Sequence, residues 1–331
     1  MTGLRQRIDK LFDVQLAVWP LLRANRRTLS RLAGRETEAG GERLALLFNP
    51  ERARSTVAPL DAESVRRRPC FLCATNRPPL QQAVEWRTYQ ILINPYPVLD
   101  RHLTIANGEH RDQRIAGRTT DFTALAVELE GYTILYNGAK CGASAPDHHH
   151  FQAVLQGSLP LEQKSGTDDG RTVWWSDPTG HTSVWSLADG LRRVIGIEVK
   201  FSEITENTRE LAAEKAAVLM ETILAALAEC QPGEPEAKVN ALAWADATHL
   251  TVLLLPREKH RPVRFFRDDG GQVLFSPGAI DMAGLVITVR PEDFKKLDSN
   301  MLEEMFLEVI PSDVDWREMT KNCTRWLDKN P

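Results

Sequence analysis

Cysteine is scarce in this chain, five residues in 331, and a sparse, odd set does not make the disulfide framework of a small secreted protein. Long apolar runs are missing too: the longest aliphatic stretches, such as 250–255, are far too short to span a bilayer. There is no excess of charge of one sign. Lys and Arg number 41 against 45 Asp and Glu, a formal charge of −4, whereas a nucleic-acid binder needs a basic surface for its phosphate contacts. No apolar signal core accompanies the charged N-terminus, so nothing directs the chain to secretion. What is present, 42% hydrophobic and 26% charged residues, is the composition of a globular protein long enough for two domains. The expectation is a cytoplasmic enzyme with neither nucleic acid nor membrane as partner.

Apolar residues at helical spacing, Leu4, Ile8, Leu11, Leu16, Trp19 and Leu22, predict a helical segment over 4–33. The polar, Gly-rich stretch 36–42 reads as a loop, and 44–48 as a strand running into Asn49-Pro50-Glu51-Arg52-Ala53-Arg54. Short strands are expected at 89–94, 103–106, 132–137 and 150–155, with a helix at 122–129 between two of them. The charged stretch 162–171 suggests a boundary dividing the chain into 1–165 and 166–331. Beyond it a long helix is expected over 207–231, with Leu211, Val218, Leu219, Ala226 and Leu227 on one face, ending at Pro232-Gly233. Strands at 239–244, 249–255, 273–275 and 285–289 and helices at 292–297, 300–309 and 313–329 complete the pattern. One internal similarity can be read letter by letter. Ile93-Asn94, His102-Leu103-Thr104-Ile105 and Glu109-His110 find counterparts in Val239-Asn240, His249-Leu250-Thr251-Val252 and Lys259-His260. A duplicated α+β unit is expected.

The densest chemistry runs from Tyr136-Asn137-Gly138 through Gly142 and Ser144 to His148-His149-His150-Phe151-Gln152. On a strand the period of two puts His148, His150 and Gln152 on one face and His149 and Phe151 on the other. The loop before them, with two Gly, a Ser and a Lys, can surround a phosphate with backbone N–H groups. An imidazole facing such a cradle is a candidate nucleophile; a metal-binding His run or a surface accident are the alternatives. Cys70-Phe71-Leu72-Cys73 is open between a metal site, a redox pair and chance. Zinc would need two further ligands. His110 and His148 are the candidates, since His102 has its match in a half without CxxC. Arg52 and Arg54, and the cluster Arg257, Lys259, His260 and Arg261, offer charge-assisted bonds to phosphate or are simply solvated charge. Arg66-Arg67-Arg68 fits the second description, because three successive side chains cannot converge on one ligand.

These residues together resemble the histidine-triad superfamily in its transferase branch, which includes galactose-1-phosphate uridylyltransferase, diadenosine tetraphosphate phosphorylase and GDP-hexose phosphorylase. The resemblance spans about residues 44–290 and is sharpest at 70–73, 94–110 and 137–152, with the His-x-His-x-Gln pattern its most specific part. It implies that His150 carries the nucleotide and that Gln152 binds phosphoryl oxygens. It also implies that Cys70, Cys73, His110 and His148 hold zinc, that Asn94 contacts ribose, and that the segment with Arg52 and Arg54 contacts substrate phosphate. The implied fold class is α+β, two antiparallel units with helices in one chain and the motif in the first alone. His149 stands where Pro is common in the family.

The leading expectation is a nucleotidyltransferase or phosphorylase that acts through a covalent nucleotidyl-histidine. Its donor is a nucleoside diphosphate sugar or dinucleoside polyphosphate, and its acceptor is inorganic phosphate or a sugar phosphate, with Lys259 or Arg261 of the second half on the acceptor side. A phosphate leaving group needs little general acid, which suits Gln152: it donates a hydrogen bond but cannot shuttle a proton. The alternatives are a dinucleotide hydrolase and a non-catalytic, zinc-stabilised nucleotide-binding protein.

Overall fold

In the computed structural model, which describes residues 3–59, 61–167, 170–201 and 205–329, one large sheet is covered on both faces. The N-terminal helical segment is two helices, Leu4–Val18 and Pro20–Leu29. Pro20 cannot continue the first helix but is well placed to open the second. The stretch expected as a loop is a hairpin of β1 (Ala33–Ala39) and β2 (Glu42–Phe48), turning at Gly40-Gly41, where φ is 54° and 78°. Those angles are what a two-residue hairpin turn requires. The polar side chains of β1 concealed it, because β1 is an edge strand with most of its residues in solvent.

Ten strands form the large antiparallel sheet. They are β3 (Ala83–Trp86), β4 (Tyr89–Ile93), β5 (Leu103–Asn107), β6 (Tyr132–Asn137), β7 (His150–Leu155), β8 (Arg171–Ser176), β9 (Thr182–Ala188), β10 (Arg193–Lys200), β11 (Val239–Ala245) and β12 (His249–Pro256). A last strand, β13 (Leu285–Thr288), pairs parallel with β2 in a separate small sheet. The large sheet runs β3-β4-β5-β7-β6-β11-β12-β10-β9-β8. Read outward from the β6–β11 pair, the same order occurs twice. Helix Thr119–Glu128 links β5 to β6, and helix Glu206–Glu229 links β10 to β11. The fold is therefore α+β with a duplicated five-stranded unit, joined where Asn137 pairs with Asn240. Topology makes β11 and β12 the counterparts of β6 and β7. The letter match that set 94–110 beside 240–260 thus joins strands that are not equivalent, and the segment after β12 does not correspond to 106–111. The His-x-His-x-Gln pattern leads into β7, His148 and His149 just before the strand and His150 to Gln152 on it, and it is absent from β12.

One face of the sheet is covered by the N-terminal helices, Thr119–Glu128, Glu206–Glu229 and the last helix, Asp313–Lys329. The other is covered by β1, β2 and β13 with the helices between 279 and 310. Helix Glu206–Glu229 buries Leu219, Ala226 and Leu227 of the expected face together with Ala212, Ala213, Ala216, Met220 and Ile223, while Leu211 and Val218 are 49% and 64% exposed, so the buried face is offset from the expected one. The alanines let its backbone approach the neighbouring helix closely enough for Thr123 Oγ1 to donate to Ala213 O at 2.8 Å. Residues 273–275 are not a strand. Val273 N–H donates to Arg264 O, and Leu274 N–H donates to the Asp293 carboxylate at 3.1 Å. Strands β3, β8, β9 and β10 of the large sheet are not among the expected strands, and the other expected strands and helices are present. No helix of the described residues is long and apolar enough to cross a membrane.

Candidate active site

Strand alternation separates the three consecutive histidines as the period of two requires. Phe151 and Ala153 join the core under the helices, and Val154 joins the core under the small sheet, so His150 and Gln152 face the small sheet. His149 faces the helices and is fully buried, its ring 4.7 Å from Phe151 and 5.7 Å from Tyr89. Burial pushes its pKa down to about 2, with nearby Arg118 adding to the effect, and an uncharged ring in an aromatic cage is a core residue.

His150 is 4% exposed, and its Nδ1 lies 2.8 Å from the carbonyl oxygen of His148. A carbonyl only accepts, so the proton sits on Nδ1 and the lone pair on Nε2. Two positions along, Gln152 Oε1 lies 2.8 Å from His102 Nε2. The backbone N–H of Val98 donates to His102 Nδ1 at 3.2 Å, which puts the His102 proton on Nε2 and makes Gln152 Oε1 the acceptor. Burial, with the Arg52 guanidinium nearby, lowers the His102 pKa to about 3, so this ring stays neutral and the tautomer holds. The two amide N–H donors of Gln152, not its oxygen, are left for an occupant of the cleft it lines.

That cleft has Arg52, Thr56, Asn137, Gly142, Ala143 and Gln152 on one side and His260, Ser276 and Gly278–Asp281 of the second half on the other. Gly142 has φ at 90°, and a Cβ there would sit 2.6 Å from Gly278 Cα, so the two loops meet backbone to backbone. Asn137 Oδ1 accepts from Ala279 N–H at 2.6 Å and from Asn240 Nδ2 at 3.0 Å, tying the first unit to the second. Gly138 and Ser144 stand away from this cleft. A Cβ on Gly138 would come within 2.8 Å of Val239 O, and the Ser144 carbonyl accepts from Arg68 at 2.9 Å. Asn94 closes a turn, its Oδ1 accepting from Tyr96 N–H at 2.9 Å, and does not line the cleft.

The expected cations divide by environment. Half-buried Arg52 is on the cleft wall, where burial lowers its pKa against the attraction of Asp281. Asp281 is pushed up to about 6 by burial although it accepts from Gly278 and Ile287 N–H. The side chain of Arg54 lies outside the described residues. Arg257 is fully buried and donates to Asn240 Oδ1 and to the carbonyls of Pro277, Val309, Lys259 and His260. Its guanidinium holds loops together. Arg261 donates to Ser276 Oγ at 2.9 Å and to the carbonyls of Thr56 and Ala58, and stacks 4.1 Å over Phe265. Lys259 is exposed and outside the cleft. The second half instead places His260 on the wall, its Nε2 3.2 Å from Ser276 Oγ and its pKa lowered to about 3 by burial. His260 belongs to the cationic cluster read from the sequence, whereas Ser276 carries no motif that would single it out. His102, discounted in the sequence analysis as a zinc ligand, lies outside the Cys/His cluster and holds Gln152 instead, although the letter match used to discount it joins strands that are not equivalent.

On the same sheet face, beyond Ala106, lies a second cluster. The ligand atoms of Cys70, Cys73, His110 and His148 are all within 4.8 Å of one another. Cys70 Sγ and Cys73 Sγ lie 3.3 Å from His148 Nδ1 and His110 Nδ1 respectively. His148 Nε2–H donates to Asn107 O at 2.8 Å, which leaves the Nδ1 lone pair turned toward the sulfurs. His110 Nε2 faces Asp147, itself held by Arg68 at 3.1 Å. Two thiols and two oriented imidazoles are the donor set of a four-coordinate metal ion.

A duplicated antiparallel α+β unit, with a His-x-His-x-Gln strand on one copy beside an inter-unit cleft, defines the class to which solved structures can be compared. The chain has the fold of yeast Ap4A phosphorylase Apa2. That structure covers 94% of this chain and 95% of its own at 16% identity, with a TM-score of 0.59. The same enzyme in complex with Ap4A matches at 14% identity over 94% of this chain and 98% of its own, with a TM-score of 0.58. A family model described as a domain of unknown function, DUF4922, matches residues 11–155. No curated protein sequence matches. The likeness to these solved structures is one of fold.

Proposed function

We propose that this chain transfers a nucleotidyl group from a nucleoside diphosphate sugar or dinucleoside polyphosphate to a phosphate acceptor through His150. The observation that carries the reading is the pair of locked side chains on one strand face. His150 has Nδ1–H committed to the His148 carbonyl, and Gln152 has its oxygen committed to His102. In the first step the Nε2 lone pair attacks the α-phosphorus. A P–N bond forms, the P–O bond to the leaving phosphate breaks, and its electron pair departs on oxygen. In the second, an oxygen of the acceptor phosphate attacks, the P–N bond breaks, and Nε2 recovers its lone pair. Gln152 donates N–H to phosphoryl oxygens, where charge accumulates, and Arg52 on the cleft wall adds a cation. The yeast phosphorylase of similar fold binds Ap4A and AMP, which favours a dinucleoside polyphosphate as the first donor to try. For the metal cluster we infer zinc, held by Cys70, Cys73, His110 and His148. With four protein ligands it would supply structural cross-linking and no open coordination position.

Intact-mass measurement after incubation with Ap4A and with UDP-, GDP- and ADP-sugars tests the reading. A single nucleotidyl adduct, lost on adding phosphate or a sugar phosphate and absent from His150→Ala, is expected. Release of the adduct at full rate by water alone would make the protein a hydrolase. No adduct from any donor would remove the covalent mechanism.

A further inference from the structure

The buried amide of Gln113 is used by none of the steps above, yet it sits against the nucleophile's backbone. Strands β6 and β7 pair from Tyr132 opposite Leu155 to Leu135 opposite Gln152, and no pairing continues beyond that point. Asn137 and His150 face the gap that opens there. Gln113, 1% exposed, fills it. Its Nε2 donates to Asn137 O at 2.8 Å and to His150 O at 3.0 Å, and its Oε1 accepts from His150 N–H at 2.8 Å. Both hydrogens of the amide nitrogen are used, and the oxygen is fixed by a backbone N–H, so the amide cannot be flipped without placing donor against donor. Gln113 is itself held from behind, its own N–H donating to Pro146 O at 3.1 Å.

We propose that Gln113 is a positioning residue for His150, its side-chain amide standing in for a strand residue so that the nucleophile's backbone is held where β6 and β7 part. His150 is paired with Ala106 of β5 on its other side. Its N–H and C=O toward β6 have Gln113 as their partner, and its ring is fixed by the bond to the His148 carbonyl. The same amide anchors Asn137, whose Oδ1 ties the units together beside the cleft. One side chain thereby sets the separation between the nucleophile and the wall against which a phosphate would be held. Misplacing a nucleophile by about 1 Å costs on the order of 10²-fold in rate, so a clamp at this point acts on the rate of nucleotidylation and much less on nucleotide affinity.

The proposal rests on the nucleotidyl-His150 reading, and the test separates the two. Gln113→Met preserves length and apolar volume but leaves both His150 backbone groups and the Asn137 carbonyl without their partner. Gln113→Glu keeps the acceptor for His150 N–H and loses both donated bonds. Single-turnover adduct formation with Ap4A should slow about 10–100-fold in Gln113→Met and less in Gln113→Glu, with half-saturation for the nucleotide within about 3-fold of the parent protein. If a folded Gln113→Met or Gln113→Glu protein labels at the parental rate, the positioning role is wrong. If the parent protein forms no adduct, the functional reading fails, and the clamp is then judged by amide hydrogen exchange at His150. Protection in the parent that is lost in the variants supports it; equal exchange overturns it. If Gln113→Met does not fold, the same two measurements on Gln113→Glu decide.

Discussion

His102→Leu removes the donor that fixes the Gln152 oxygen, and the consequences can be worked through bond by bond. Two hydrogen bonds go: the one to Gln152 Oε1 at 2.8 Å and the one from Val98 N–H at 3.2 Å. Val98 is 2% exposed and His102 is 1% exposed, so the orphaned Val98 N–H stays dry, at a cost of about 1–3 kcal/mol in stability. Catalysis suffers through Gln152, whose amide becomes free to present either oxygen or nitrogen to the cleft. Full loss of a donor at a site of developing charge costs roughly 10²–10³-fold. Because Gln152 is still present, His102→Leu should stop short of that, at about 10-fold in the rate of adduct formation. His102→Gln places an amide donor near the position of Nε2 and should recover most of that rate. Single-turnover mass spectrometry of the singles and of His102→Leu/Gln152→Ala completes a double-mutant cycle. If His102 acts through Gln152, the double variant is no slower than Gln152→Ala. Additive losses, or a folded His102→Leu protein with parental rate, would refute the argument.

Further outcomes follow from the same geometry. His150→Ala should abolish nucleotidyl labelling with the fold intact, whereas His149→Ala should retain labelling and lose about 2–4 kcal/mol in urea unfolding from the cavity left in its aromatic cage; the opposite pattern would overturn the assignment of strand faces. Elemental analysis of purified protein should find about one equivalent of zinc, lost in Cys70→Ser, with chelation lowering the thermal midpoint; freely titratable Cys70 and Cys73 thiols in the folded, metal-free protein would count against the site. Arg261→Ala should cost about 1–3 kcal/mol by releasing the carbonyls of Thr56 and Ala58, while exposed Lys259→Ala leaves stability unchanged and raises the acceptor's KM if Lys259 itself binds the acceptor. An unchanged acceptor dependence in Lys259→Ala would leave the acceptor side to the cleft wall of His260 and Ser276.

The amino-acid sequence by itself determined what depends on neighbours along the chain. The strand carrying 150–155, its alternation and the separation of His149 from His150 follow from local periodicity. The CxxC with two histidines was readable because sulfur and imidazole have few other reasons to recur together. Tertiary structure alone decided the rest, because those contacts join residues far apart in sequence. Gln113 and His102 carry no local mark: one is an amide in a loop, the other a histidine at the start of a strand. Each takes its role from a partner 37 or 50 positions away. The duplication was legible as an idea but not in its register. Strand order is set by hydrogen bonds between non-neighbouring segments, and chance identity at Asn94 and Asn240 outweighed weak similarity between the true counterparts. For the same reason Arg257, Lys259 and Arg261 looked alike in sequence and differ in space. The first is walled in among carbonyls, the second is solvated, and the third is bound to a loop two hundred residues earlier. A side chain's chemistry is written locally, but the partner that saturates it is chosen by the fold.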